Sequence, residues 1–161
     1  MRILGIDPGS TLIGYGCIED DGKGKTTLIT SGVIKIKAKE LPEKLKELGS
    51  RLAELLKETG PVLVGIEKLF FSKNKKTALE VAHARGVILA ELLRLNLPVR
   101  EFTPGEVKSA VTGYGSADKI MVAKMVGKIL GITELEGDDN TSDAIAVALT
   151  TAARERTHGS Y

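Results

Sequence analysis

The chain contains no tryptophan, and only three tyrosines and three phenylalanines among its 161 residues. Its core must therefore be built from aliphatic side chains, and an aromatic set among polar residues stands out. It has a single cysteine, which excludes an internal disulfide and suits a reducing compartment. Cys17 lies in the apolar stretch LIGYGCI and reads as a small core residue rather than a nucleophile. No apolar run approaches the roughly 20 residues needed to span a bilayer. The opening MRILGIDPGS lacks the charged leader and long apolar segment of a secretory signal. A cytoplasmic protein with no membrane partner is expected.

The formal net charge is only +2, so no large excess of one sign is available to drive binding by itself. What the sequence does have is charge in patches. Acids gather in GDDNTSD and lysines in KLFFSKNKK. A mildly basic chain with a tight acidic focus is suited to holding a polyanion through a divalent metal.

RILGIDPG is a short apolar run stopped by Pro-Gly, and predicts a strand ending at Asp7. TLIGYGCIED and TTLITSGVIKIK predict two more strands joined by the turn DDGKGK. Leu41, Leu45, Leu48, Leu52, Leu55 and Leu56 recur at helical spacing until TGP. PVLVGIE predicts a buried strand ending at Glu67, KNKKTALEVAHARGVILAELLRL a long helix, and LPVREF a further strand. In TPGE, Thr103, Pro104 and Glu106 form a capping box that opens another helix. Val122, Met125, Val126, Ile129 and Leu130 mark the apolar face of the next helix, with Ser116 as its expected cap. The last helix begins near Asn140.

Strands first, then strands alternating with helices, predict an α/β protein with a mixed five-stranded sheet flanked by helices. Ligands in such sheets bind beyond the carboxyl ends of parallel strands. Asp7 and Glu67 both end strands, and their carboxylates lie side by side if those strands are parallel neighbours. Asn140 and Asp143, three residues apart, share one face of the last helix. The small residues of AIAVALTTAA allow that helix to approach the sheet closely. Carboxylates gathered this way repel one another unless a cation neutralises them, and an oxygen-only donor set favours Mg²⁺ or Mn²⁺ over zinc. Paired ions of this kind cleave phosphodiesters.

The segments ILGIDPGSTLIGYG, GIEKLFFSKNKKTALEVAHARG, EFTPGEVKSAVTGYGSADKIMV and TSDAIAVALT together resemble the RuvC family of bacterial Holliday junction resolvases. The resemblance covers nearly the whole chain in one order. It implies an RNase H-like fold, a homodimer, and Mg²⁺-dependent symmetric nicking of a four-way DNA junction, with two ions per active site. It implies a single nuclease domain over residues 1–156 and a polar tail over 157–161, and leaves open a branch-migration motor as partner. Matched motif by motif, Asp7, Glu67 and Asp143 fall on the family's metal-binding acids. The fourth such position, usually Asp and sometimes His, falls on Asn140. Lys119 and Lys108 match basic catalytic or DNA-contacting positions, and Phe70 matches an aromatic that wedges between junction bases. Lys73, Lys75 and Lys76 are expected to meet phosphates.

Three readings of position 140 stay open. Asn140 is a weak ligand, or Asp139 replaces it, or an Asp-to-Asn change has weakened the site. Two rival functions stay open with them. One is an RNase H-fold nuclease acting on RNA, and the other is a junction-binding protein that does not cleave.

Overall fold

The computed structural model describes residues 1–69, 75–132 and 139–158. Its strands are β1 (Arg2–Asp7), β2 (Leu12–Asp20), β3 (Thr26–Lys35), β4 (Leu63–Glu67) and β5 (Val99–Phe102). Its helices are α1 (Leu41–Thr59), α2 (Lys75–Arg94), α3 (Pro104–Thr112), α4 (Lys119–Leu130) and α5 (Asp139–His158). The five strands form one sheet in the order β3-β2-β1-β4-β5. β1 pairs antiparallel with β2 and parallel with β4, and β5 runs parallel to β4. This is the mixed sheet expected from the sequence, and its architecture is RNase H-like.

Side-chain alternation divides the sheet into two faces. Leu4 and Ile6 of β1, with Val64 and Ile66 of β4, pack in a cluster with Leu48 and Leu52 of α1 and Ile88 and Leu92 of α2. Ile3 and Leu63 belong to the opposite cluster with α3, α4 and α5, including Val107, Val126 and Ile145. Cys17 is buried as expected, and burial raises its thiol above the usual range.

The α5 face contains a feature that no single segment reveals. Gly5 pairs with Gly16 on one side and with Gly65 on the other, so three glycines cross three adjacent strands in register. A Cβ added at Gly5 would lie 2.1 Å from the Ala144 carbonyl oxygen. At Gly65 it would lie 2.1 Å from Thr151 Oγ1, and at Gly16 2.6 Å from Ile145 Cγ1. The glycines form a groove into which α5 sinks. Ala144, Ala146, Ala148 and Ala152 are completely buried there. Asp20, almost wholly buried, anchors the far end of α5 by accepting from Arg156 Nη1 at 2.9 Å.

Local signals set the starts of α3 and α4. Thr103 Oγ1 accepts from Glu106 N, and Glu106 Oε2 accepts from Thr103 N at 2.7 Å, completing the expected capping box. The expected cap of α4 needs correction. Met121 N donates to Asp118 Oδ1 at 2.8 Å, so Asp118 caps the helix rather than Ser116. Ala117 is buried against the core, which fixes the next residue at the cap position. Ile129, expected on the buried face of α4, is 44% exposed. Val122 and Val126 make that face, with Met125 and Leu130 at its edges.

Candidate active site

The alternation that places Ile3 and Gly5 under α5 places Asp7 on the same face. Leu63, Gly65 and Glu67 repeat the pattern on β4. Because Ile6 pairs with Ile66, the two acids leave adjacent parallel strands at neighbouring positions. α5 reaches them because its first turns rest on β2. A Cβ at Gly14, the residue opposite Asp7, would lie 2.1 Å from the Asn140 carbonyl oxygen. One turn later α5 presents Asp143. Asp7, Glu67 and Asp143 line one cleft of about 310 Å³ with Pro104, Lys108 and Lys119.

The electrostatics of the cleft depend on which element carries each group. Burial, then repulsion from Asp143, raises Asp7 from 3.8 to about 7, with Lys119 opposing. Burial, then repulsion from Asp7 and Asp143, raises Glu67 from 4.5 to about 7, against Lys108 and Lys119. Lys119 Nζ lies 3.4 Å from Asp143 and 3.8 Å from Asp139. Burial alone would lower the Lys119 ammonium, but Asp143, Asp139 and Asp7 outweigh it and hold it above the usual lysine range.

The structure thus gathers five expected residues, Asp7, Glu67, Asp143, Lys108 and Lys119, in one place. Asn140 stands at the entrance of the same helix. The Asp139 side chain is 75% exposed and turns to Lys119 at the rim. Phe70 and Lys73 lie outside the described residues, as do the side chains of Lys75 and Lys76, whose backbone begins α2. Sequence reasoning missed the glycine row that brings α5 to the strand ends. Its one local trace was glycine inside strand-like segments, which marks close backbone approach.

The donor chemistry can be compared with what a divalent metal requires. Two half-buried carboxyls held at about 7, beside a third that already draws in an ammonium, form an oxygen donor set short of positive charge. That set suits a hard cation. Among the described residues, no three acidic, histidine or cysteine side chains stand close enough to ligate one ion as placed. The fit is therefore one of donor type and charge, and ligation requires the side chains to converge.

Known proteins resemble this chain in sequence and in fold. The family model of crossover junction endodeoxyribonuclease RuvC matches residues 3–151. The crossover junction endodeoxyribonuclease RuvC of Thermosipho melanesiensis is 44% identical over 157 residues, covering 97% of this chain and 99% of that protein. That of Caldicellulosiruptor saccharolyticus is 43% identical over 150 residues, covering 92% and 90%. Among solved structures, T. thermophilus RuvC in complex with a Holliday junction substrate superposes with a TM-score of 0.91 at 34% identity, covering 98% of this chain and 96% of that one. The yeast mitochondrial Holliday junction resolvase shares the fold, with a TM-score of 0.72 at 14% identity.

Proposed function

The chain belongs to the RuvC family of crossover junction endodeoxyribonucleases, and on that premise we propose that it resolves four-way DNA junctions by paired, symmetric phosphodiester hydrolysis. The observation that carries this reading is the convergence of Asp7 and Glu67, from adjacent parallel strand ends, on Asp143 and two lysines in one cleft. Dependence on divalent metal is general to the family. Asp7, Glu67 and Asp143 would hold two Mg²⁺ ions, with Mn²⁺ able to replace them, and Asn140 would add a neutral carboxamide oxygen. When bound, such ions activate water and stabilise the charge of the leaving oxygen.

The chain's own residues account for the rest. Asp7 and Glu67 must give up their protons to accept a cation, so ion binding and deprotonation are coupled near neutral pH. Lys119, at the first position of α4, places its ammonium beside the acids and near a helix N-terminus, where a phosphate oxygen is favoured. Lys108 adds a second positive charge from α3. Phe70 would wedge at the opened junction, and Lys73, Lys75 and Lys76 would meet phosphates without reading sequence. Residues 1–156 would form the nuclease domain, with 157–161 as a tail. A homodimer would cut the two opposed strands, in the cytoplasm, with a branch-migration motor as a further partner. Among the described residues no helix is long and apolar enough to cross a membrane.

A second reading, junction binding without cleavage, rests on Asn140 in place of a carboxylate. A synthetic four-way junction, a linear duplex of the same sequence and an RNA–DNA hybrid, each incubated with Mg²⁺, separate the possibilities. Paired nicks in opposed strands of the junction are expected, with affinity that falls steeply with salt. Equal affinity for junction and linear duplex would sink the junction reading. Cleavage confined to the hybrid would select the RNA nuclease, and tight junction binding without nicks would select the non-cleaving protein.

A further inference from the structure

Most large side chains near the cleft are buried, charged or both, but one short stretch differs. Tyr114 is 69% exposed, and Ile120 and Met121 are 80% and 45% exposed. The other described aromatics behave differently, with Phe102 buried and Tyr15 packed against the core. Tyr114 is therefore the described aromatic that faces water, and the backbone beneath it is tightly held. Thr112 Oγ1 accepts from Tyr114 N at 3.1 Å and donates to Lys108 O at 2.8 Å, with Tyr114 O at 3.1 Å as a longer second acceptor, while Ala117 N donates to Tyr114 O at 3.2 Å. Gly113, in the left-handed region at φ 83°, turns the chain out of α3, and buried Ala117 pins the other end of the loop.

The position of the loop links it to the site. A Cβ at Gly115 would lie 3.5 Å from the Gly105 carbonyl oxygen, so the loop folds back on the start of α3. Pro104, the residue before Gly105, lines the cleft with Asp7, Glu67 and Asp143. Past the loop, Ile120 follows Lys119 directly. The exposed apolar groups thus belong to the segments that flank the cleft, which Lys108 and Lys119 line and make attractive to a polyanion.

Building on the nuclease reading above, we propose that Tyr114, supported by Ile120, is a DNA-contacting residue. Its ring packs on the sugar or base of a nucleotide whose backbone enters the cleft. A nucleotide strand offers the two surfaces these segments match, phosphates for the lysines and flat apolar faces for an aromatic ring. Because its loop is already ordered, Tyr114 gives up little conformational freedom on contact.

The test measures affinity for a synthetic four-way junction over a range of salt, with Ca²⁺ in place of Mg²⁺, for the wild type, Tyr114→Ala and Tyr114→Phe. Stacking releases no counterions, so Tyr114→Ala should bind about fivefold or more weakly at every salt concentration with an unchanged salt slope. Tyr114→Phe should bind like the wild type, and Ile120→Ser should show a smaller loss. Unchanged affinity of Tyr114→Ala, equal losses in the Ala and Phe variants, or a shallower salt slope would overturn the contact. So would a change in sedimentation of Tyr114→Ala without DNA, which would assign the ring to a second copy of the chain. A wild-type chain that does not bind the junction overturns the nuclease reading and this contact together. If the wild type binds and Tyr114→Ala binds equally well, only the contact fails.

Discussion

The floor and the rim of the cleft carry the same kind of side chain in different circumstances. Asp7 and Glu67 rise from strand ends, with backbones fixed by the sheet and carboxyls half-buried and pushed up to about 7. Asp143 and Asp139 come from the first turns of a helix, and both reach Lys119. The floor is short of positive charge, while the rim supplies its own. A carboxylate desolvated beside other carboxylates weakens the fold, and it persists where a cation is to be received. The rim acids, already paired with an ammonium that is 62% exposed, can exchange partners at small cost.

Removing a floor acid should break this contrast most sharply. Asp7→Asn is expected to lower cleavage about a thousandfold or more, since several kcal/mol of charge stabilisation is lost. Junction affinity measured in Ca²⁺ should change far less. The same substitution should stabilise the metal-free protein. Folded Asp7 keeps its proton up to about 7, whereas the unfolded chain releases it near 3.8. Between those values the folded state holds more protons, so stability falls as pH rises from about 4 to 7 and then levels off. Because Glu67 is raised by Asp7 as well as by its own burial, Asp7→Asn should recover about 2 kcal/mol at pH 8, roughly 5 °C in Tm, and make the profile shallower without removing the part that Glu67 contributes. A Tm for Asp7→Asn at or below that of the wild type at pH 8 would show that the floor is not strained.

The joint between floor and rim is tested by Gly5→Ala. The added methyl would fall 2.1 Å from the Ala144 carbonyl and 2.9 Å from Ala148 Cβ, so α5 must shift. A loss of about 3 kcal/mol by denaturant unfolding is expected, together with slower cleavage, because Asp143 moves with the helix. Full activity in a destabilised Gly5→Ala variant would mean that the spacing of α5 from the sheet does not set the site.

The smallest effect should come from the rim. Asn140→Asp adds a charged donor one turn before Asp143 and should lower the Mg²⁺ concentration for half-maximal nicking by about tenfold. Junction affinity in Ca²⁺ should hardly alter. If rate and metal dependence both stay the same, position 140 is not a ligand.

The sheet and the floor acids were legible because their signals are local. An apolar run cut off at Asp-Pro-Gly marks both the strand and the acid at its end, and Thr103, Pro104 and Glu106 write the start of α3 in four residues. The cap of α4 was misread because Ser116 and Asp118 are both cap formers two residues apart. Only the burial of Ala117 decides between them. The glycine row left only single glycines inside strand-like segments, and as a row it was not legible. Gly5, Gly16 and Gly65 come from distant segments, and their alignment exists only once the strands are in register. Lys119 was legible as a cation near the site, but its contact with Asp143 depends on how α4 packs against α5.

The seating of α5 also bears on how the protein opens. This helix packs over β2, β1 and β4, and Arg156 fastens its far end to a nearly fully buried Asp20. A segment held in this way cannot fray without uncovering the centre of the sheet. Its middle amides should exchange with solvent only when the whole molecule unfolds, as expected for the last-opening cooperative unit of a domain. Asp143, one turn into that helix, is therefore anchored to the part of the chain expected to exchange most slowly, and its backbone should hold its place beside the cleft for as long as the fold lasts.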